Sequence, residues 1–226
     1  MTSKSNIKIL TPINIVGFIL SIIAGWTDTV GIKLFFNERS SFMSGRGANL
    51  GYWVFKGDLK AFMSVLLVII AFIIGAYIST IITRKTGLTG GLYFTGILII
   101  IAAFQTSWND INIATLIIPM AMGSQNAATS LTPINRTTHL TGPATDIGII
   151  IAKGNWNTVV FWTLRWIGFP LGSIIGFHLV HIVNNNIINT STTLFLPAMI
   201  IILTGIIQKL KFNIPLLDKK SESLEK

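Results

Sequence analysis

Long apolar stretches separated by short polar ones dominate this chain. Uncharged runs cover residues 9–27, 61–83, 86–108 and 111–135. Each approaches or exceeds the ~20 residues that a helix needs to cross ~30 Å of hydrocarbon. Two further apolar pieces, residues 48–55 and 147–152, are less than half that length, which predicts half-helices that enter and leave the membrane on one side. Backbone that breaks at that depth must lie inside protein or beside a water-filled cavity.

An internal repeat appears when the chain is shifted by 97 positions without gaps, which lays residues 24–58 over residues 121–155. Polar and glycine positions agree better than apolar ones, whereas a chance match between two apolar segments would do the opposite. The repeat predicts an all-α polytopic membrane bundle with spans near residues 14–35, 59–83, 88–108, 112–131, 156–181 and 190–208. The identical pairs are Ala24/Ala121, Leu34/Leu131, Arg39/Arg136, Gly45/Gly142, Gly51/Gly148, Lys56/Lys153 and Gly57/Gly154.

The same shift aligns Gly75 and Ser79 with Gly172 and Gly176, a small-xxx-small pattern that predicts close helix approach. Lys56-Gly57-Asp58 and Lys153-Gly154-Asn155 each predict a basic last turn, a C-terminal glycine and an N-cap for the next helix.

The distribution of positive charge favours six spans over eight. With six spans and an inside N-terminus, eight Lys and Arg residues lie inside and five outside, whereas eight spans divide the same residues seven to six. Three spans per repeat then turn the second repeat upside-down, which is an inverted 3+3 arrangement. We predict a cytoplasmic tail at residues 1–8, membrane repeats at 9–109 and 110–208, and a charged cytoplasmic tail at 209–226.

Composition agrees with a lipid environment. Of 226 residues, 51% are hydrophobic and 11% charged, roughly half the ~25% that soluble domains carry. The net charge of +9 does not indicate nucleic-acid binding, because the positive residues lie between the apolar runs as the positive-inside rule predicts. The chain has no cysteine, and no catalytic, metal or cofactor motif is recognisable, so none of these sites is predicted. The predicted partners are the lipid bilayer and an unknown small solute, and self-association is left open.

Two polar motifs resemble a known family. The pattern of Asp28, Gly31, Phe42–Gly45 and Asn49–Gly51, together with Met122–Ala127 and Leu140–Gly142, is similar to the YoaK-like bacterial inner-membrane proteins, a domain of unknown function, DUF1275. The resemblance covers about residues 17–208. It implies six spans in a bacterial inner membrane and supplies no activity. This chain has Ser44-Gly45-Arg46 where such proteins usually have Thr-Gly-Asn.

The strongest candidate site is the pair of glycine turns Ser44-Gly45-Arg46 and Thr141-Gly142. Ser44 and Thr141 are good helix N-caps, and a helix start exposes unpaired N–H groups and partial positive charge. Two opposed helix starts at mid-depth would bind an anionic or carbonyl-bearing solute. The alternative is that both are tight turns with a structural role only.

Charged residues inside predicted membrane motifs are the next candidates, because an intramembrane charge is costly and normally faces a cavity or a partner. Asp28 and Asp146, the latter aligned with Asn49, are assigned to solute or proton binding or, alternatively, to helix packing. Arg165 aligns with Val68 and breaks the symmetry. It is interpreted as binding a substrate anion or, preferably, as neutralising Asp28 or Asp146.

The amides Asn49, Gln125 and Asn126 complete the candidate substrate-binding set. Gln125 and Asn126 would equally well bond neighbouring helices. The function predicted from the repeat is a small-solute transporter or channel with its site between the two halves. The alternative is a scaffold or assembly partner that transports nothing. An intramembrane enzyme is the weakest hypothesis, because no catalytic motif such as H-E-x-x-H or G-x-S-x-G is present.

Overall fold

The computed structural model describes residues 10–34, 40–105, 114–189 and 191–217. In these ranges every regular element is helical, and a wider π-type turn at Gln208–Phe212 continues the last helix. The predicted tail at residues 1–8, the end of the predicted span at 106–108 and the tail beyond residue 217 lie outside the described residues. The helices are α1 Pro12–Leu34, α2 Met43–Lys56, α3 Leu59–Thr86, α4 Leu88–Gln105, α5 Ala114–Ser130, α6 Thr141–Ala152, α7 Trp156–Asn184 and α8 Thr192–Ile207.

Four helical stretches are long and apolar enough to cross a membrane, and Leu88–Phe104 is a shorter apolar helix. The four are Pro12–Ile32, Leu59–Thr86, Trp156–Asn184 and Thr192–Phe212. Large apolar side chains are exposed at helical spacing on the outer helices, as at Ile70, Ile74, Tyr77 and Ile81 of α3. Such a surface suits lipid and not water. The chain is a membrane protein with transmembrane helices.

Helix α1 lies in the interior of the bundle. Of its most apolar window 72% is buried inside the protein, against 28% for the windows of α3 and α7. Helix α5 is similarly buried and contacts α1. Helix α1 packs along α7, α5 packs along α3, and α4 packs against α8. The first helix of each sequence repeat therefore packs on the third helix of the other repeat.

Small residues on α7 and α3 allow these close crossings. A Cβ atom added to Gly172 would collide with the carbonyl oxygen of Ile22 in α1, and one added to Gly75 would collide with the carbonyl oxygen of Met120 in α5. Met120 follows Ile22 by 98 positions, whereas Gly172 follows Gly75 by 97. Equivalent residues of α1 and α5 are thus 98 positions apart, one more than the 97 of the ungapped alignment.

A second pair of contacts has the same offset. A Cβ atom on Gly176 would lie 3.0 Å from the carbonyl oxygen of Trp26, and Ser79 Oγ donates to the carbonyl oxygen of Ser124 at 2.9 Å. The predicted small-residue pattern at these helix crossings is confirmed. Because Gly172 meets Ile22 and Gly176 meets Trp26, α1 and α7 run in the same direction, and the corresponding contacts make α3 and α5 parallel.

Helices α4 and α8 run in opposite directions. Thr89 Oγ1, at the start of α4, donates to the carbonyl oxygen of Gly205 near the end of α8 at 3.0 Å. Ser191 Oγ, just before α8, donates to the carbonyl oxygen of Ala103 near the end of α4 at 2.9 Å. The single residue Gly87, at φ 77°, turns α3 back into α4.

The two short helices are longer than predicted. Helix α2 has 14 residues and α6 has 12, because the polar glycine-containing stretches are themselves helical. At 1.5 Å per residue they span about 21 and 18 Å, which is still short of a membrane crossing. Among the described helices, α2 contacts α3 and α6 contacts α7, and neither has another helical neighbour.

The turns that follow the short helices are built as predicted. Gly57 and Gly154 adopt left-handed conformations at φ 69° and 70°. Asp58 Oδ1 then accepts from the Ala61 N–H at 2.9 Å and caps α3, and Asn155 Oδ1 accepts from the Thr158 N–H at 3.4 Å and caps α7. These caps fix the directions in which α3 and α7 leave the turns.

Candidate functional site

Buried polar side chains hold the linkers that lead into α2 and α6. Asp28 in α1 is fully buried, and its Oδ1 accepts from Ser40 Oγ at 2.7 Å and from the Ser41 N–H at 3.0 Å. Gln125 in α5 donates from Nε2 to Thr137 Oγ1 at 3.0 Å. In both halves the polar side chain bonds a hydroxyl group 12 residues further along the chain. The aligned pair Asp28/Gln125 therefore has matching contacts.

Gln125 also joins the two central helices. Its Nε2 donates to the carbonyl oxygen of Leu20 in α1 at 2.8 Å. The neighbouring Asn126 has a buried Oδ1 atom with no hydrogen-bond partner in the described structure. The contacts of Gln125 agree with the interpretation that a buried amide bonds neighbouring helices, and Asn126 leaves an acceptor available inside the protein.

The predicted N-caps at Ser44 and Thr141 are wrong. The N-cap residues are Phe42 and Leu140, and neither helix has a side-chain cap bond. Ser44 is the second helical residue of α2 and Thr141 the first of α6. The bond from the Ser41 N–H to Asp28 fixes the chain two residues before α2, and Phe42 then takes the N-cap position without a side-chain bond to the helix. The leading N–H groups of both helices therefore have no capping side chain of their own.

The starts of α2 and α6 meet at one cavity of about 480 Å³, which we call the helix-start cavity. Phe42 comes from the start of α2 and Thr141 from the start of α6. The third wall is α7, which contributes residues from its midpoint. The complete lining is Ser41, Phe42, His139, Leu140, Thr141, Phe169, Pro170, Ser173, Ile174 and Phe177. Most of this wall is apolar, and its polar groups are hydroxyls and one imidazole.

The polar side of the cavity is electropositive or neutral. A Cβ atom on Gly142 would lie 3.8 Å from His139 Nε2 and 4.0 Å from an Arg136 guanidinium nitrogen, so both groups border the start of α6. Burial, and secondly the charge of Arg136, lower the pKa of His139 below its usual 6.5. The imidazole is therefore neutral at pH 7 and able to donate or accept a hydrogen bond.

The remaining candidates on the short helices do not line this cavity. Gly45 sits under the Phe42 ring, which a Cβ atom there would strike. Arg46 is 4% exposed, while Asn49 and Asp146 are half-buried on α2 and α6. Of the predicted residues, Thr141 lines the cavity directly, and Gly45 and Gly142 stand behind its wall.

The predicted pairing of Arg165 with Asp28 or Asp146 is wrong. Arg165 is 1% exposed, and its guanidinium donates to the carbonyl oxygens of Ile134 at 3.0 Å, Phe161 at 2.6 Å and Ile13 at 3.2 Å. It reaches this position because Gly17 has no side chain, and a Cβ atom there would collide with the guanidinium. Sequence alignment cannot reveal this because three of the four acceptors are backbone atoms, and the fourth is Asn14 Oδ1 at 3.5 Å.

Arg165 lies instead beside a second cavity of about 580 Å³, which we call the arginine-side cavity. It opens between the start of α1, the linker between α5 and α6, and the start of α7. The lining residues are Thr11, Ile13, Asn14, Pro133, Asn135, Asn157, Thr158, Phe161 and Trp162.

The α7 wall of the helix-start cavity is absent from the predicted site. Phe169, Pro170, Ser173 and Phe177 lie in an apolar run and carry no charge or motif. One signal was available, since Pro170 interrupts the middle of a predicted span and its aligned residue in the first half is Ile73. A proline within a span frees backbone groups that then need partners or a cavity.

No curated protein and no solved structure matches the chain. A family model described as "Protein of unknown function (DUF1275)" matches residues 16–207. This stretch contains both short helices, both linkers and both cavities except for Thr11, Ile13 and Asn14 at the start of α1. The chain belongs to the DUF1275 family.

Proposed function

We propose that this protein is a small-solute transporter or channel of the bacterial inner membrane, with its solute site in the helix-start cavity. In this proposal it crosses the membrane six times, and both termini are cytoplasmic. The observation that carries the proposal is the meeting of two short-helix starts at one cavity beside the middle of a membrane-length helix. Backbone that breaks at membrane depth must be buried in protein or line a cavity, and here both breaks line a cavity.

Helix directions support an inverted repeat. Helices α1 and α7 are parallel, α3 and α5 are parallel, and α4 and α8 are antiparallel. Short connections make α3 antiparallel to α4 and α7 antiparallel to α8. Together these relations mean that α1 and α5 run in opposite directions, and that α3 and α7 also run in opposite directions. Because α1 and α3 then also run in opposite directions, α2 begins and ends on one side of the membrane, and α6 does so on the other.

The depth of the cavity supports a solute site and not a surface groove. Phe169 and Phe177 lie in the central part of α7, which runs from Trp156 to Asn184. Helices α2 and α6 start at this depth and end just before Gly57 and Gly154, near opposite faces in the inverted arrangement. A solute in the cavity therefore meets N–H groups from both halves of the protein.

The lining indicates the chemistry of the solute. Phe42, Phe169 and Phe177 offer an apolar surface, while Ser41, Thr141 and neutral His139 offer hydrogen bonds. Partial positive charge at the two helix starts favours an anionic or carbonyl group at the polar end. The expected solute is small, with an apolar body and one carboxylate or carbonyl group.

Flux through purified protein in liposomes tests the proposal, with acetate, pyruvate, glycine and glycerol as probes. Gly142→Leu places an isobutyl group beside the cavity and should abolish the flux that the native chain supports. Gly148→Leu is the matched control, because it lies on the same helix where a Cβ atom meets nothing within 4 Å. Equal flux in both variants would remove the site from the proposed pathway.

A second measurement does not need the solute. The native chain has no cysteine, so each variant carries a single thiol. In Ser173→Cys the thiol faces the helix-start cavity. In Ile175→Cys it lies at the same depth on a side chain that is 38% exposed and faces lipid. An anionic, membrane-impermeant methanethiosulfonate should modify position 173 and not position 175. Failure to modify position 173 from either side, with no probe transported, would favour the scaffold hypothesis.

A further inference from the structure

Within the part of the chain that the structure describes, the guanidinium of Arg165 is hydrogen-bonded to neutral groups only. Its acceptors are the carbonyl oxygens of Ile134, Phe161 and Ile13, and Asn14 Oδ1 at 3.5 Å, all of which are neutral. Its carbon Cζ also lies 3.4 Å from the centre of the Phe161 ring. Among the described residues no carboxylate pairs with it. A buried charge in a membrane span normally has a partner of opposite charge.

The arginine-side cavity lies directly behind this group. Ile13, Asn14 and Phe161 contact the guanidinium and also line the cavity. Pro133 and Asn135, which flank the acceptor Ile134, line it as well. One layer of neutral groups therefore separates the buried positive charge from the open volume.

The rest of the cavity wall, like the nearby charge of Arg165, favours a negatively charged ligand. Thr11 precedes the first turn of α1, and Thr158 lies in the first turn of α7, so two helix N-termini face the cavity. Both carry partial positive charge. Thr11, Asn135 and Thr158 supply neutral hydrogen-bonding side chains, and none of the nine lining residues is acidic.

We propose that the arginine-side cavity binds an anionic phosphate or carboxylate group, whose charge compensates that of Arg165. Hydroxyl and amide groups of the wall hydrogen-bond the anion, and Phe161 and Trp162 pack against the apolar part of the molecule that carries it. The anion belongs to a lipid headgroup or to a small soluble molecule. This site is separate from the helix-start cavity, and its occupancy does not depend on transport.

The first test places a carboxylate inside the site. Asn135→Asp is isosteric and keeps a residue type that tolerates the positive φ of 63° at this position. Asn186→Asp is the matched control, since it makes the same change at a φ of 58° beyond the opposite end of α7, where the residue is exposed. The thermal-unfolding midpoint is measured in neutral detergent with phosphatidylglycerol, inorganic phosphate or phosphatidylcholine as the probe.

We expect an anionic probe to raise the midpoint of the native chain and of Asn186→Asp by several degrees, with phosphatidylcholine giving no such rise. Asn135→Asp should unfold at a higher temperature without a probe and should lose the probe-dependent rise. A rise with phosphatidylglycerol alone identifies a lipid headgroup, and a rise with inorganic phosphate identifies a soluble anion. If neither anion raises the midpoint, or if Asn135→Asp keeps the full rise, the proposal is overturned.

A second pair of variants guards against a folding defect in Asn135→Asp. Thr158→Asp adds a carboxylate at the third residue of α7, beside the cavity. Ala61→Asp adds one at the third residue of α3, where Val68 stands in place of Arg165. Both changes place a carboxylate in a first helical turn. Because Asp58 already caps α3 while the neutral Asn155 caps α7, the variants are compared by the anion-dependent rise and not by their starting midpoints. Only Thr158→Asp should abolish the anion-dependent rise, and equal behaviour of the two variants would contradict the proposal.

Discussion

Helices α3 and α7 occupy matching places in the two halves, yet only α7 borders both cavities. Each is capped by a side-chain oxygen after a left-handed glycine, and each uses a small residue to approach a first helix. The differences are Val68 against Arg165 and Ile73 against Pro170. Packing is thus shared between the halves, while charge and cavity lining belong to one of them. Helix packing in this bundle therefore depends on residues that the two halves share, and the properties of the cavities depend on residues that they do not share.

The largest expected effect concerns the turns that end the two short helices. In the inverted arrangement, Asp58 and Lys153 lie on opposite sides of the membrane. Single cysteines at these positions, in an otherwise cysteine-free chain, should be labelled by an impermeant maleimide from the outside at 58 and from the inside at 153. The measurement uses intact and permeabilised cells. If both positions are labelled from the same side, α2 and α6 cross the membrane completely, and the two repeats are not inverted.

An intermediate effect should separate Arg165 from Val68. With phosphatidylglycerol present to compensate the charge of Arg165, Arg165→Met leaves the buried carbonyl oxygen of Ile134 without its donor, which costs about 1–3 kcal/mol. Val68→Met enlarges a buried apolar side chain but leaves no polar group unpaired, so its loss should stay at the lower end of the about 1–3 kcal/mol that overpacking costs. Unfolding in denaturant, followed by tryptophan fluorescence, gives both values. Equal losses would mean that the carbonyl contacts of Arg165 contribute nothing measurable.

The smallest effect concerns the pH dependence of stability at His139, a residue whose aligned position in the first half is Phe42. The pKa of His139 is lowered in the folded protein, so the unfolded chain binds a proton at higher pH. Stability is therefore unaffected well above pH 6.5 and falls as the pH drops below it. His139→Gln should lose less stability than the native chain between pH 7 and pH 5. A steeper loss in the variant would reverse the sign of this argument.

The internal repeat was sufficient to predict the helix crossings and the turns after the short helices, because aligned residues in the two halves have similar packing environments. Gly75 and Gly172 were predicted to allow close helix approach, and both lie against carbonyl oxygens. The Lys-Gly-Asp and Lys-Gly-Asn turns were also predicted correctly. The one-position offset between the first helices was not, since an ungapped alignment cannot contain it.

The site was less predictable because its walls come from distant parts of the chain. Thr141 was found from its glycine turn, but Phe169 and Phe177 have the composition of any lipid-facing run. Arg165 was noticed because it breaks the repeat, and its partners were misassigned. A charge suggests a charged partner, whereas this guanidinium is held by carbonyl oxygens that every residue possesses.

The exchange of first helices between the halves has a consequence for biogenesis. Helix α1 is synthesised first, but the helix that it packs along, α7, is completed only at Asn184. At about 5–20 residues per second, α1 waits roughly 8–30 s after Leu34 has been made before that partner is finished. During this interval its buried polar residues Asp28 and Thr29 face the insertion machinery or lipid. Neither half of the gene product can complete its own core, and two separately expressed halves would have to find each other in the bilayer.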